Sequence, residues 1–507
     1  MINYTPQNQL SLDMFETPFE SVLDKGNRWV KLASLIPWDD LAGIYCSKLN
    51  PCSGRKTIDV RLVIGALIVK HKLKLDDRGT VAMIQENMYI QYFCGYHTFN
   101  PGQPFDPSLF VDIRKRLGNK EFDAFNKAVI NSSEGIKPKR ARIMQSKEDN
   151  DSDDKSSSDG SLKPNKGKLK LDATIADQEI TYPTDLKLLN TSREELERLI
   201  TVMHEVVGKG ERPRIYKRVA RMSYLNIAKN KNKGNKLIGK GIKAQLQFIR
   251  RDLKFTDELY TKLIQMKLDK IVLKKRDRAL IQTIHKVYQQ QLTMYKNNEC
   301  SHPDRIVNVY QPWVRPMPRG KDGNRTEFGS KINVSEVDGF CRINRLDWNN
   351  YNEAGDLKKQ VEDFRELYGR YPKVLLGDRI YLNRENRKYL NDKKIHVVGK
   401  PLGRPPKVQQ TSQQKWKRKK LAAQRNHIEG KFGQAKRGYG LNNVKARLVD
   451  TSESWVGAII FVMNLTRLMK LADKASKIYC QFSELVKMYY NFKMYIRLYS
   501  YGQISSF

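Results

Sequence analysis

Between Ser146 and Lys168 the chain carries Ser, Asp, Lys and Gly with almost nothing apolar, so this stretch cannot offset its own ordering entropy. It reads as a disordered linker, at residues 136–167, between an amino-terminal unit and everything that follows. The 507 residues suffice for roughly two to four domains, and 39% hydrophobic content is enough for at least one substantial core. Residues 1–135 read as helical, with apolar runs at Val60 to Val69 and Thr80 to Met83 and a turn from Asn100 to Pro107. Helices at about Ile58 to Lys70 and Asp77 to Tyr89 suit either a helix-turn-helix or a dimerisation bundle.

From Lys168 the periodicity changes. Leu169, Leu171, Ala173 and Ile175 alternate with Lys170, Asp172 and Thr174, the pattern of a strand with Asp172 on its polar side. It opens a unit over residues 168–190, read as the first part of the core to which residues 301–450 return. Thr191 and Ser192 then precede Glu194 and Glu195 at capping-box spacing, and Leu196, Leu199, Ile200 and Met203 recur at helical intervals, so a helix is expected to begin there. Helical stripes with interspersed basic residues make 191–300 a helical insertion. Strand character returns at Phe328 to Glu336. Asp338-Gly339 is a two-residue hairpin signal leading into Phe340 to Arg345, and the turn geometry itself accounts for Asp338. Leu357, Val361, Phe364 and Tyr368 form one helix face. Lys373 to Leu376 is a short buried strand closing on Gly377-Asp378, and Ile395 to Val398 is another. A basic helix is expected from Lys415 to Lys436, ending at Gly438 and Gly440. Residues 301–450 thus return to a mixed sheet, and 451–507 form a helical, Tyr-rich tail whose rings are expected to pack.

Lys and Arg number 93 against 55 Asp and Glu, a formal charge of +38, which points to a polyanionic partner and first of all to nucleic acid. Cys46, Cys52, Cys94, Cys300, Cys341 and Cys480 contain no CxxC and have no histidines at ligand spacing, which argues against a zinc site or a disulfide framework. No export signal is visible over Met1 to Phe15. The longest apolar run, Trp455 to Met463, is far short of the ~20 residues a bilayer requires. A cytoplasmic, nucleoid-associated prokaryotic location without a membrane partner follows as an expectation. There is no glycine-rich nucleotide loop, so no ATP is expected.

Three acids stand out by their contexts. Asp172 is mid-strand, Asp378 follows a buried strand, and Glu429 lies within a later helix. Cutting a phosphodiester requires an activated nucleophile and a stabilised leaving oxygen, which two hard cations ~4 Å apart supply when carboxylates hold them. Without a cation, each like-charged pair at ~4 Å repels by roughly 4 kcal/mol at an effective dielectric near 20. Arg425, Glu429 and Lys436 share one helix face; ordinary ion pairing between Arg425 and Glu429 is the bland alternative.

The segments Leu171 to Thr174, Tyr182 to Asp185, Val374 to Asp378, Pro401 to Arg404 and Arg425 to Glu429 closely resemble transposases of the insertion-sequence-five group. The resemblance covers most of the chain. Met83 to Asn87 and Pro104 to Leu109 look like the helical domain that precedes catalysis in those proteins. It implies an RNase H-like mixed sheet with a helical insertion, an all-helical amino-terminal domain and a helical carboxy-terminal tail. By motif match it implies that Asp172, Asp378 and Glu429 are the catalytic, metal-holding acids, with Mg²⁺ as cofactor and Mn²⁺ as a substitute. Of the family's Tyr, Arg, Glu, Lys signature, Arg425, Glu429 and Lys436 fit, whereas Ala422 stands where the Tyr would be, so a ring contact to DNA would have to come from Trp416 or Tyr439.

The implied function is a DDE transposase. Such an enzyme binds the terminal inverted repeats of a mobile element and performs metal-dependent endonucleolytic cleavage and strand transfer, acting as a homodimer on double-stranded end and target DNA. A catalytically inactive, transposase-derived DNA-binding regulator is the alternative, and a nuclease that cuts without joining is a second. Arg425, Lys436, Arg404 and the run Lys417, Arg418, Lys419, Lys420 are the expected phosphate contacts. Gly403-Arg404-Pro405 also fits a plain turn. Asp185 suits either support of the active site or capping of the next helix. The basic clusters Lys217-Arg218, Arg250-Arg251 and Lys274-Lys275-Arg276 suit either DNA contact or a solvated face.

Overall fold

A computed structural model describes residues 2–6, 17–50, 56–136, 164–208, 213–318, 326–398 and 411–502. Most of the expected linker lies outside them, as do Arg404 and the turn around it.

Among the described residues, eight helices open the chain: α1 (Pro18–Val22), α2 (Arg28–Leu35), α3 (Trp38–Cys46), α4 (Val60–Leu73), α5 (Asp77–Glu86), α6 (Met88–Phe93), α7 (Leu109–Arg116) and α8 (Asn119–Ile136). Their starts are set by side chains: Asp59 accepts from Arg61 N and Leu62 N ahead of α4, and Asp76 accepts from Gly79 N ahead of α5. α4 is buried from Val60 to Val69 except at Arg61, and its last turn inserts Lys70, which pairs with Asp77 at 2.7 Å. Such a helix is a core element of the amino-terminal unit.

The strand expected at Lys168 is β1 (Lys168–Asp177). Then come α9 (Asp185–Val207), α10 (Lys217–Ala228), α11 (Asn235–Gln265), α12 (Asp269–Val272) and α13 (Lys275–Asn297), the expected helical insertion. α9 begins earlier than the Thr191-Ser192 signal suggests. Thr184 caps it by accepting from Lys187 N, and Leu186, Leu188 and Leu189 extend its buried face backwards, which leaves Ser192 inside the helix donating to Leu188 O at 2.9 Å. Asp185 is therefore not the cap; it accepts from Gln291 (2.7 Å) and Arg305 (2.6 Å), tying α9 to α13 and the segment that follows. The insertion has an apolar interior of its own, threaded by a buried Arg193 that donates to Glu197, Asn190 and Gln245.

The chain then returns to the sheet through β2 (Arg315–Pro318), β3 (Thr326–Val337), β4 (Phe340–Asp347), α14 (Leu357–Tyr368), β5 (Val374–Leu376), α15 (Arg384–Asp392) and β6 (His396–Val397). It closes with α16 (Ser412–Gln424), α17 (Asn426–Tyr439) and α18 (Val449–Gly502). The sheet runs β2-β3-β1-β5-β6, with β4 also paired to β3. β1 is antiparallel to β3 and parallel to β5, so the sheet is mixed as expected. The β3–β4 hairpin turns at Asp338-Gly339, both with positive φ (53° and 91°), which is the two-residue geometry the Asp-Gly pair favours.

Helices cover both faces of the sheet. Leu169, Leu171 and Leu375 face α14, whereas Ala176, Ile332 and Val334 face α17 and the first half of α18. That half of α18 also completes the amino-terminal core, where Phe461, Val462 and Leu465 pack with residues of α2 to α8. α18 is long and apolar enough over Val449–Gln481 to cross a membrane by length and composition, although 61% of its most apolar window is buried inside the protein.

Candidate active site

Side chains alternate across a strand, so Asp172 shares a face of β1 with Thr174 and Ala176. Ala176 packs with Ile428, Phe432 and Ala435 of α17, and that face is therefore the one the Glu429 helix covers. The parallel register of β1 and β5 pairs Lys170 with Leu376. The pairing ends there, and two residues further along each chain come Asp172, still within β1, and Asp378, just past the end of β5. Each turns one oxygen onto the next backbone amide: Asp172 Oδ1 accepts from Ala173 N (2.9 Å) and Asp378 Oδ1 from Arg379 N (2.8 Å).

Their environments differ. Asp378 is exposed, while Asp172 is largely enclosed, and burial pushes its carboxyl up to about 6. The Ala173 amide and the Arg425 guanidinium pull it back down; the negative charges of Asp378 and Glu353 push it further up. Asp172 thus lies within electrostatic reach of Asp378, Arg425 and Glu353 together.

Glu429 is exposed in the first turn of α17, and its Oε1 accepts from Arg425 Nη2 at 2.8 Å. Arg425 therefore connects the third acid to the first. It sits at the junction of α16 and α17, where the expected single basic helix is broken in two. Among the described residues no three acids, histidines or cysteines are gathered closely enough to hold a metal ion. The structure brings Asp172, Asp378 and Arg425 together and leaves Glu429 bound to the arginine.

Lys436 lies seven residues beyond Glu429 and is engaged elsewhere, with Glu327 at 3.1 Å and Asp177 at 3.6 Å, at the far end of β1. Lys419 and Lys420 are exposed on α16, with the Lys420 ammonium 5.1 Å from the Trp416 ring centre. Lys417 and Arg418 belong to the same helix, and Arg404 lies outside the described residues. A cavity of about 150 Å³ is found not at the acids but at the start of α9, between Tyr182, Asp185, Arg305 and Phe328.

The opposite face of β1 contributes groups that have no signature in the sequence. Asn333, paired in register with Ala173, accepts from the buried Tyr381 hydroxyl (2.7 Å) and Gln360 (2.9 Å) and donates to Asp356 (2.9 Å). Tyr381 closes the short turn that begins at Asp378, so this network fixes that turn against the central strands. Glu353, paired with Lys331 at 2.8 Å, is a further acid near Asp172.

Residues 375–466 match a family model described as a transposase DDE domain, and residues 17–116 match one described as a transposase domain (DUF772). Both matches are to domains found in transposases, and neither spans half of the chain. The DDE-domain match includes Asp378, Arg425, Glu429 and Lys436, whereas Asp172 lies outside both transposase-domain matches. A protein from Rhizobium meliloti named uncharacterized protein ORF8 in nfe locus is 25% identical over 176 residues, covering 35% of this chain and 74% of the relative. No solved structure matches.

Proposed function

We propose that this chain is a transposase of the insertion-sequence-five group with an RNase H-like core, and that it cleaves the ends of a mobile DNA element and joins them to target DNA, using Asp172, Asp378 and Glu429. The observation that supports the reading is that Asp172, within β1, lies in electrostatic reach of Asp378, just past the end of the neighbouring strand β5, and of Arg425, the partner of Glu429. Burial is the main reason the Asp172 carboxyl is raised and the negative charge of Asp378 adds to it, and a hard divalent ion such as Mg²⁺ would offset both. Glu429 suits it only after leaving Arg425.

Bound metal ions would activate the attacking water or 3'-hydroxyl and neutralise charge on the phosphate. The chain's own residues do the rest. Asp172 is fixed by β1, Asp378 is held by the turn that Tyr381 and Asn333 secure, and Glu429 reaches the same face from α17. Arg425, once freed, is placed to pair with a backbone phosphate, and Lys419 and Lys420 extend that positive surface along α16. Two copies acting together would hold the two ends of the element.

The test is cleavage and strand transfer of end-bearing duplex DNA with Mg²⁺. Asp172→Asn, Asp378→Asn and Glu429→Gln should each reduce turnover by more than about 100-fold, the upper range for losing a mere supporting partner, while leaving duplex binding intact. Near-normal cleavage by any of the three would remove it from the mechanism.

The Arg425–Glu429 pairing favours one second reading, a DNA-binding regulator that does not cut. That reading predicts duplex binding with a log–log salt slope near −0.9 per phosphate contacted and no nicking under Mg²⁺ or Mn²⁺.

A further inference from the structure

The helical insertion keeps its charges apart. From Arg214 to Arg251 twelve Lys and Arg side chains follow one another without a single Asp or Glu. Eleven of the twelve are exposed, and among the described residues none of those eleven is in ion-pair contact with an acid. The twelfth, Arg251, is turned over the Tyr216 ring, 4.4 Å from its centre. The insertion's acids lie elsewhere: Asp252 is buried, Asp257 and Glu258 follow it on α11, and Glu195 and Asp277 are taken up by Arg198. A surface that is merely solvated intersperses both signs.

Packing sorts these cations onto one face. α10 folds back on α11 across a turn rich in Lys, Asn and Gly, and Ile227 of α10 seats at Gly241 of α11, where a Cβ would lie 2.5 Å from the Ile227 Cδ1 atom. Gln245 fastens the pair by donating to Ala220 O at 3.1 Å. With Leu246, Ile249 and Leu253 in the insertion's core, this contact turns one side of α11 inward. The exposed positions from 236 to 250 are then Lys236, Lys240, Lys243, Gln247 and Arg250. Spacings of four, three, four and three keep them on a single line opposite the buried side. At 1.5 Å per residue that line is about 21 Å long.

Like charges three or four residues apart weaken the helix that carries them, so a polyanion laid along the line would relieve a cost that no described acid offsets. The surroundings select among polyanions. Single-stranded nucleic acid is held by stacking its bases on exposed aromatic rings, and the line has none. A lipid surface takes up a helix whose apolar face is free, whereas that face of α11 is buried. Lysine is a point charge that attracts phosphate and reads no base edge, so a duplex is held whatever its sequence. No side chain caps the start of α11 at Gly234, which leaves the positive end of its dipole beside Lys231, Lys233 and Lys236.

We infer that the outer face of α11, with the turn before it, is a second DNA-contact surface that grips the phosphate backbone of duplex DNA without regard to sequence. In the proposed reaction it suits the DNA flanking the element, whose sequence changes with each insertion, rather than the terminal repeats. The inference rests on the reading that DNA is the substrate but not on the three acids, because the grip needs neither metal nor cleavage.

The experiment measures binding of the full chain to duplexes of unrelated sequence, in EDTA and over a range of salt concentrations, by fluorescence anisotropy. Lys236→Gln/Lys240→Gln/Lys243→Gln should weaken binding equally for every sequence and make the log–log salt slope shallower by about 2–3, at ~0.9 per lost phosphate contact. Lys254→Gln/Lys358→Gln/Arg365→Gln removes as many charges from cations that already have acid partners, and should change the slope by less than about one. In the unmodified protein, duplex should shield Lys236, Lys240 and Lys243 from acetylation, read by mass spectrometry, and leave Lys358 reactive. An unchanged slope in the first variant, equal losses in both variants, a loss confined to one sequence, or equally tight binding to single strands or to phosphatidylglycerol vesicles would each overturn the proposal. Steep duplex binding that the first variant loses, without nicking under Mg²⁺, would leave this surface standing and remove the enzymatic reading. Cleavage by a first variant whose salt slope is unchanged would do the reverse.

Discussion

Burial raises Asp172 to about 6 while the Ala173 amide and Arg425 work against that rise, and the net sign has a measurable result. An acid whose carboxyl is higher in the folded chain than in the unfolded one binds more protons when folded. Stability is then greatest below the unfolded value of 3.8 and falls as pH rises through about 6. Two units correspond to ~3 kcal/mol, an upper bound. In metal-free buffer Asp172→Asn should therefore raise the unfolding temperature at pH 7, by the equivalent of about 1–3 kcal/mol, and flatten its decline between about pH 4 and 6. A wild-type protein whose metal-free stability climbs over that range would show that the carboxylate is not under strain. The opposite case is Lys170, whose ammonium lies 2.6 Å from the buried Glu336 carboxylate. Lys170→Met would strand that charge and should cost about 3–5 kcal/mol, read by chemical denaturation.

The same scale shows what the sequence could disclose. Asp172 was readable because its neighbours alternate, and Asp378 because a short apolar run ends just before it. Glu429 was readable only through its motif. Asn333, Tyr381 and Glu353 were not, because they meet Asp172 and Asp378 through strand register and a turn, and no local period links β3, α14 and the residues after β5. The pairing of Glu429 with Arg425 was visible as a bland alternative, and the structure has it formed.

Among the elements, β1, which carries Asp172, pairs along most of its length with β3, and at Gly329 the two backbones leave no room for a side chain. A Cβ there would lie 1.9 Å from the Ala176 carbonyl oxygen, a backbone atom that cannot swing aside. Gly329→Ala should therefore part the two strands at Asp177, displace Lys436 from Asp177 and Glu327, and cost more than about 4 kcal/mol, a loss seen only when a named feature is broken. A variant with unchanged denaturant midpoint would show that the strands can separate without cost. Elements were legible wherever a period was long, as in β1, the hairpin and the insertion. The start of α9 was misread because Thr191 and Ser192 imitate a cap, while the true cap, Thr184, is recognisable only once Leu186, Leu188 and Leu189 are seen to be buried.

At the level of the whole molecule, α18 joins what the sequence suggests are separate parts. Asn464 accepts from the Cys341 amide (2.9 Å) and donates to the Cys341 carbonyl (2.7 Å) and to Asn126 (2.8 Å), so one side chain binds β4 and α8 to α18. Arg342 adds a paired contact to Asp123 of α8, at 2.8 and 3.0 Å. Asn464→Leu should leave the buried Cys341 groups unsatisfied at ~1–3 kcal/mol each, and the amino-terminal helices and the sheet should lose stability together in a single transition. Separate transitions, with only one shifted, would show that the two cores are not coupled through this helix. This coupling was hidden because a helical period shows that a face is buried but not against what.

Phe122 and Phe461 meet within one core although 339 residues separate them in the chain, at a ring distance of 6.3 Å. During synthesis the first helices therefore emerge long before the segment that seals them, and they wait with an open apolar groove until α18 has been made. A chain interrupted anywhere before α18 would leave that groove uncovered, and exposed apolar surface of this kind makes a chain prone to aggregation and dependent on chaperones.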